Sequence, residues 1–542
     1  MDMKPIIRYL YDLCAVALLG LCLGSCAEEE VLNEPYAPGK PSLGIELNQA
    51  QAPVPSAGLP GTEVTITAYG LQQYRDELIF RFNGEQATIT EVTDSQIKVI
   101  VPDYASTGIT TISIGDVVIF GPLFSVTGKI SVDPTFNVTQ GTNGGVEKII
   151  TTADGRMLAV GAFTNFDNRG TIRPINRIAR TFADGTYDAS LRSGTGANGV
   201  IGDIVPFNNG YLISGAFSGY AQRGTDISNL TYINGNGTID TMGVHPFRRP
   251  DQLDTVKYYP SFNGGFDQWV DALYPQGNKV VVNGSFRYYI SRRYDQPNRL
   301  ETRDSVIMDS VEVRQFARLN ADGSLDSTYR FDRAAGQSWE GGNGEARSSL
   351  ITAGPNAGKL MVYGSFTRFD GQQKGYILRL NADGTIDDTF NPGGSGADQR
   401  IRKLFYNPST GRYVIAGDFR NYNGQPANRL ALLNEDGSLD ASFVAKEFEG
   451  GGPTFIKQLS DGKIIVSGDF RSYAGYARNG FMVLDEQGDL IPGYNATGIF
   501  EGQIEDIMET TAANGQRALM IYGYFSIFNS TYTNNIVRII ME

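Results

Sequence analysis

Histidine is nearly missing from this chain of 542 residues: there is one, His245. A multi-His metal site within one chain is thereby excluded, and a Ser-His-Asp triad would hang on that single imidazole. Tryptophan is almost as scarce, with Trp269 and Trp339. Cysteine is confined to positions 14, 22 and 26, so no disulfide framework runs through the chain. Positive charge is in the minority. Lys and Arg number 46 against 59 Asp and Glu, a formal charge of −13, which argues against an electrostatic nucleic-acid binder. What is present is glycine, 65 residues, and aromatics at 11%. That balance leans toward a turn-rich all-β protein. Hydrophobic residues at 41% and charged residues at 19% exclude wholesale disorder, and the length points to two or more domains.

The first 25 residues read as an export signal. Lys4 and Arg8 precede an apolar run, Ala15 to Leu23, too short to span a bilayer. The run ends in Leu23-Gly24-Ser25-Cys26, which resembles the lipobox of bacterial lipoproteins. That resemblance implies a lipidated Cys26 at the mature N-terminus, a membrane anchor and the loss of Cys14 and Cys22 with the signal. Thiol-based zinc sites, nucleophiles and redox motifs then drop out. Ala27-Glu28-Glu29-Glu30 is similar to the surface-export signal of Bacteroidota lipoproteins. Residues 26–41, rich in Pro and Glu, read as a tether.

Residues 42–127 read as one all-β unit. Glu63-Val64-Thr65-Ile66-Thr67 and Gln96-Ile97-Lys98-Val99-Ile100 alternate, and Asn83-Gly84 marks a turn. With Gly61-Thr62, Val101-Pro102, Gly108 and Phe124 in this order, the segment resembles the immunoglobulin-like IPT/TIG domain. That resemblance implies a spacer and no chemistry of its own.

From residue 129 the chain repeats. A Gly-x-Phe triplet closes an apolar strand at Gly161, Gly215, Gly284, Gly364, Gly417, Gly468 and Gly523, at spacings of 51 to 80 residues. Turns such as Asp154-Gly155 and Asp461-Gly462 precede most of these strands. A second turn follows in most units, as in Asn320-Ala321-Asp322-Gly323-Ser324-Leu325-Asp326. Four short strands per unit of this length predict a β-propeller blade. The motifs resemble the delta-60 repeats, a β-propeller family. The seventh unit stops before its last strand, while an orphan copy of that strand, Val132-Asp133-Pro134-Thr135-Phe136-Asn137, precedes the first. It parallels Ile386-Asp387-Asp388-Thr389-Phe390-Asn391 in the fourth unit. A seven-bladed ring whose final blade is completed by the N-terminal segment is the expectation, and closure would remove open sheet edges.

The Asp-Gly turns are expected on one face, and the variable loops and Gly-rich segments between units on the other, around the channel mouth. The loop-rich face is the default binding face. Two excursions, 241–268 and 287–312, lengthen loops there. Trp269 precedes the first strand of the third unit, where other units have Gly145, Val200, Ala346, Arg400, Phe455 and Gln503. Trp339 lies in the next connecting loop. Trp269, Trp339, Tyr288 and Tyr289 are candidate stacking platforms for a sugar, or else wedges that pack the loops. Asp271, Arg400 and Arg402 are candidate polar contacts near the mouth, or else pair with one another.

Other motifs fail on context. Gly194-Thr195-Gly196-Ala197-Asn198-Gly199 fits a dinucleotide fingerprint but opens no helix. The Asp-rich turns lack the ligand spacing of a calcium loop, and no metal ligands or cofactor are assigned; a structural calcium ion stays open. The fold expectation is all-β: an IPT/TIG sandwich, then a seven-bladed propeller. The functional expectation is a non-catalytic lipoprotein in the outer membrane, facing the cell exterior, that binds a polysaccharide or oligosaccharide. The arrangement resembles proteins of Bacteroidota polysaccharide-uptake systems, which supplies the glycan. Two alternatives stand beside it: a protein scaffold among outer-membrane import proteins, and a carboxylate-based enzyme acting on polysaccharide.

Overall fold

The computed structural model describes residues 43–542 apart from 225, 298 and 301–303. The export signal (1–25), Cys26 and the tether (26–41) lie outside the described residues. No described helix is long and apolar enough to cross a membrane. The chain is all-β, with the 3-10 turn Gln72–Tyr74 as the one helical element among the described residues.

Residues 43–127 make two sheets around one core. Glu46–Leu47, Glu63–Tyr69, Gln96–Ile100 and Thr88–Val92 form the first; Ala57–Gly58, Val117–Val126, Gly108–Ile114, Ile79–Phe82 and Glu85–Gln86 form the second. Alternation does the work: Val64, Ile66, Ile97 and Val99 point inward from one sheet and meet Phe80, Phe82, Ile112 and Phe124 from the other.

From Val146 onward, antiparallel three-stranded sheets follow one another. The fourth unit, for example, pairs Ala346–Leu350, Leu360–Gly364 and Ile377–Leu380 in sequence order. Middle strands such as Leu360–Gly364 and Ile464–Gly468 are buried at every position, because each sheet is covered by the next. The cores span neighbouring units. Met520 and Tyr522 of the seventh unit share a cluster with Val146, Ile149 and Phe163 of the first, so the last sheet packs on the first.

Four regular strands per unit were expected; the fourth is reduced. It survives as single bridges such as Thr181↔Tyr187, Leu380↔Ile386 and Leu433↔Leu439. The reason is the aspartate that follows. Asp387 Oδ1 accepts the backbone N–H and the hydroxyl of Thr389, at 3.0 and 2.6 Å, which turns the chain out of the ladder. Arg379 Nε at 2.6 Å and Lys359 Nζ at 2.7 Å both reach the other oxygen of Asp387.

The orphan segment completes the seventh sheet. Ile130–Val132 pairs antiparallel with Ile536–Met541, starting two residues earlier than the motif suggested. Asp133 then repeats the Asp387 arrangement. Arg538 Nε reaches it at 2.6 Å, and Thr135 donates to it through N–H and hydroxyl at 2.8 and 2.7 Å. The Arg538 guanidinium covers the Phe136 ring, as Arg379 covers Phe390.

The two-sheet unit sits against the sixth repeat unit. Tyr104 and Tyr476 have ring centroids 4.2 Å apart. Arg478 Nη1 donates to the Tyr104 carbonyl at 3.0 Å, and Thr107 N–H donates to the Ala496 carbonyl at 2.9 Å. Ala496 joins the core of the two-sheet unit.

Candidate binding site at the channel mouth

The triplet glycine has a physical cause. A Cβ on Gly161, Gly215, Gly284, Gly364, Gly417, Gly468 or Gly523 would lie 2.1–2.3 Å from a backbone carbonyl of the adjacent first strand. Those carbonyls belong to Gly145, Val200, Trp269, Glu345, Arg400, Gly452 and Gln503. These are therefore the true equivalents of Trp269, which corrects two of the sequence matches. Glu345 replaces Ala346, and Gly452 replaces Phe455. Matching apolar residues misplaced them, because the contact with the glycine and not the hydrophobicity sets the register. The glycine N–H in turn donates to a residue in the left-handed region: Arg177, Asn229, Gln315, Tyr376, Arg429, Gly480 or Asn535.

Just inside that ring, six of the first strands carry a β-bulge. The extra residues are Glu147, Gly202, Asp271, Arg402, Thr454 and Glu505. A bulge re-aims a side chain out of the pleat. The fourth unit runs without one, and Arg347 takes the corresponding place. The loops after the triplets and the inter-unit segments share this end, as expected: Asn143 Oδ1 accepts from the N–H groups of Thr164 and Asn165, and Asn343 Oδ1 from Thr367 and Arg368.

Glu147, Asp271, Arg347 and Glu505 of this set, with Trp269 and Lys403, are in the wall of a cavity of about 660 Å3. Trp269 lies in this wall, while Tyr524 lines a neighbouring cavity with Thr142, Asn143 and Glu501, and each ring sits over a glycine. A Cβ on Gly202 would come within 2.8 Å of the Trp269 ring, and one on Gly145 within 2.1 Å of the Tyr524 ring. Each ring has a carboxylate beside it. The Tyr524 hydroxyl donates to Glu147, and the Trp269 indole beside Asp271 favours its charged form. Burial pushes the Glu147 carboxyl up to about 7; the Tyr524 hydroxyl lowers it, nearby Glu505 raises it, and Lys403 and Arg347 pull it down. Burial likewise raises Asp271 to about 6, against the charge of Arg347 and the nearby Trp269 indole and with the help of Glu345 and Glu505.

The cations at this mouth are committed elsewhere, Lys148 in the wall lying 3.5 Å from Asp203. Arg347 Nε meets Glu345 at 2.8 Å, and Arg400 meets the other oxygen of the same carboxylate. Lys403 Nζ meets Glu505 at 3.1 Å, and Arg402 Nε meets Asp418 at 2.9 Å.

The seven sequence candidates separate accordingly. Trp269 and Asp271 are together in the cavity wall, with Arg400 and Arg402 in the ion pairs just described. Trp339 is elsewhere: it is exposed beside the buried Arg330, whose guanidinium is 5.4 Å from the indole and which is paired with Asp370. Tyr288 is exposed beside Arg287 at the base of the long hairpin Tyr288–Pro297 with Asp304–Glu312. Tyr289 offers no free ring face. It is buried edge-on to Phe266, with its hydroxyl on the Gly323 carbonyl at 2.9 Å. Alternation along the strand sends it to the side opposite Tyr288. Sequence reasoning missed Tyr524, Glu147, Arg347, Lys403 and Glu505. Tyr524 carried a signal: it is the one aromatic residue at the middle of a Gly-x-Phe triplet. The others carried none without the bulge register.

His245 lies in an exposed loop with Nδ1 3.0 Å from Asp254. Among the described residues, no group of three or more His, Cys, Asp or Glu is placed to hold a metal ion. The turn carboxylates are used by the turns themselves, as Asp322 is by the N–H and hydroxyl of Ser324.

Comparison with known proteins agrees with the repeat. A family model described as a domain of unknown function (DUF5122) beta-propeller matches residues 152–191, 304–329, 358–390, 409–443 and 459–490. A second, described as a domain of unknown function (DUF5008), matches residues 21–122. No curated protein matches. Among solved structures, the chain is similar to the WD40 beta-propeller domain of Doa1, at 12% identity and a TM-score of 0.39, covering 76% of this chain and 96% of that one. It is similar to a protein of unknown function from Bacteroides thetaiotaomicron, at 10% identity and a TM-score of 0.26, covering 94% and 100%. A third is an auxiliary nutrient binding protein from Bacteroides ovatus, at 12% identity and a TM-score of 0.18, covering 72% and 98%.

Proposed function

We propose that this chain is a non-catalytic, lipid-anchored glycan-binding protein displayed on the outer membrane. In this reading residues 1–25 are the signal, Cys26 is lipidated and 26–41 form the tether. Residues 42–127 form an IPT/TIG-like sandwich, and 129–542 a seven-bladed propeller whose channel mouth faces outward. The observation that carries the binding step is the pair of aromatic–carboxylate units, Trp269 with Asp271 and Tyr524 with Glu147. An aromatic face packs on the apolar face of a sugar ring, and adjacent carboxylates accept its hydroxyls.

The test is affinity electrophoresis of residues 27–542 against plant, microbial and host polysaccharides, with Trp269→Ala and Tyr524→Ala alongside. Retardation by a polysaccharide, reduced at least about tenfold in affinity (~1.4 kcal/mol) in either folded variant and without release of sugar, supports the reading. Release of sugar that stops in Glu147→Gln transfers it to a carboxylate-based enzyme. Absence of retardation across the panel overturns it in favour of a scaffold for import proteins.

A further inference from the structure

Charge pairing at the mouth is one-sided. Arg347, Arg400, Lys403 and Arg402 each already have a carboxylate partner within 3.1 Å. Glu147 and Asp271 do not: Glu147 accepts from the neutral Tyr524 hydroxyl, Asp271 has the neutral Trp269 indole beside it, and neither takes part in an ion pair among the described residues. An anionic ligand would have to break existing pairs to find a cation. A cationic ligand finds two carboxylates in need of one, each beside an aromatic ring, and rings of this kind attract ammonium groups over their faces. The cavity is walled and partly desolvated, so such a charge pair is less screened than at open surface.

We infer that the group taken into the mouth is an ammonium, as on an amino sugar with a free or alkylated nitrogen, held between the Asp271 and Glu147 carboxylates beside the Trp269 ring, with Tyr524 orienting Glu147. This rests on the glycan-binding reading of the same mouth. The pH dependence follows from the groups facing these carboxylates. Glu147 faces Tyr524 and Glu505 of the seventh unit, Lys403 of the fifth and Arg347 of the fourth. Asp271 faces Trp269 on its own strand, Arg347 and Glu345 of the fourth, and Glu505 of the seventh. Both carboxylates take up protons as the pH falls from 8 to 5, and the attraction goes with them.

The experiment uses three versions of one β-1,4-linked glucosamine disaccharide: N-acetylated, free amine, and N,N,N-trimethylated, the last charged at every pH. A disaccharide limits nonspecific attraction to a chain of formal charge −13, and titration calorimetry of residues 27–542 is run at physiological salt. At pH 8 the trimethylated sugar is expected to bind at least tenfold more tightly than the N-acetylated one, and to lose that advantage by pH 5. Glu147→Gln and Asp271→Asn should each weaken it about tenfold at pH 8 and flatten the pH profile. The pH profile on the unaltered protein keeps the test independent of variant folding. Equal binding of the N-acetylated and trimethylated sugars, sensitive to Trp269→Ala, overturns the ammonium inference and leaves glycan binding standing. A preference for polygalacturonate over all three does the same. Failure of these sugars and of the polysaccharide panel overturns both.

Discussion

At the residue scale, glycines do two jobs here that a sequence does not distinguish. Gly417 is required by proximity, because a Cβ would sit 2.3 Å from the Arg400 carbonyl. Gly411 is required only by its left-handed φ of +69°, with open space around it. Gly417→Ala should therefore cost about 3 kcal/mol, as overpacking does, and Gly411→Ala about 1 kcal/mol of backbone strain. Urea unfolding of the two variants measures the difference, and equal costs would refute the distinction. Gly202→Ala tests a third use. Its Cβ would displace the Trp269 ring, so the indole fluorescence should shift with little loss of stability. The raised carboxylates give a signed pH effect. The folded states of Glu147 and Asp271 hold protons more tightly than the unfolded chain does. The stability this brings is full below about pH 4 and is lost as the pH rises through about 6 for Asp271 and 7 for Glu147. Glu147→Gln should therefore raise the melting temperature at pH 8, by up to ~3 kcal/mol in stability, and leave it unchanged near pH 4.

At the scale of the element, the repeated outer corner matters most. In the fourth unit Arg379, Lys359 and Thr389 surround Asp387. Burial alone would raise that carboxyl, but these donors outweigh it and hold it well below the usual range. Its stabilising effect is present above about pH 4 and is lost only in stronger acid. The same corner closes the chain on itself through Asp133 and Arg538, which are 405 residues apart. Both side chains are buried, so Asp133→Ala leaves an uncompensated guanidinium and should cost roughly 3–5 kcal/mol. The replacement Asp133→Ala with Arg538→Met should recover part of that loss. Thermal unfolding of the single and double variants reads it out; a double variant no better than the single would show that the pair is not the fastening.

At the scale of the molecule, the two-sheet unit and the repeat share a core through Ala496 and an aromatic contact through Tyr104 and Tyr476. They are expected to unfold in one calorimetric transition. Tyr104→Ala removes a contact of about 1 kcal/mol and should begin to separate the transitions. Two transitions in the unaltered protein would show that the contact is too weak to couple them.

Residues along the chain were enough to determine the all-β class, the Gly-x-Phe period and the complementary ends, because each depends on local patterning that repeats. The Asp133 corner was legible for that reason: its copy stands in the fourth unit. The closeness of Trp269 and Asp271 in sequence, at the start of one strand, was legible too. Tertiary structure alone decided what faces the channel. The bulge adds one residue to a strand and turns Glu147, Asp271 and Glu505 out of the pleat, yet it leaves no mark on local composition. Only the closing of the sheets brings Tyr524 over Gly145 and Trp269 over Gly202, across boundaries between units. Tyr289, next to Tyr288 on the same strand, is buried while Tyr288 is exposed, because a neighbouring core and not its own sequence decides which side of the strand is covered.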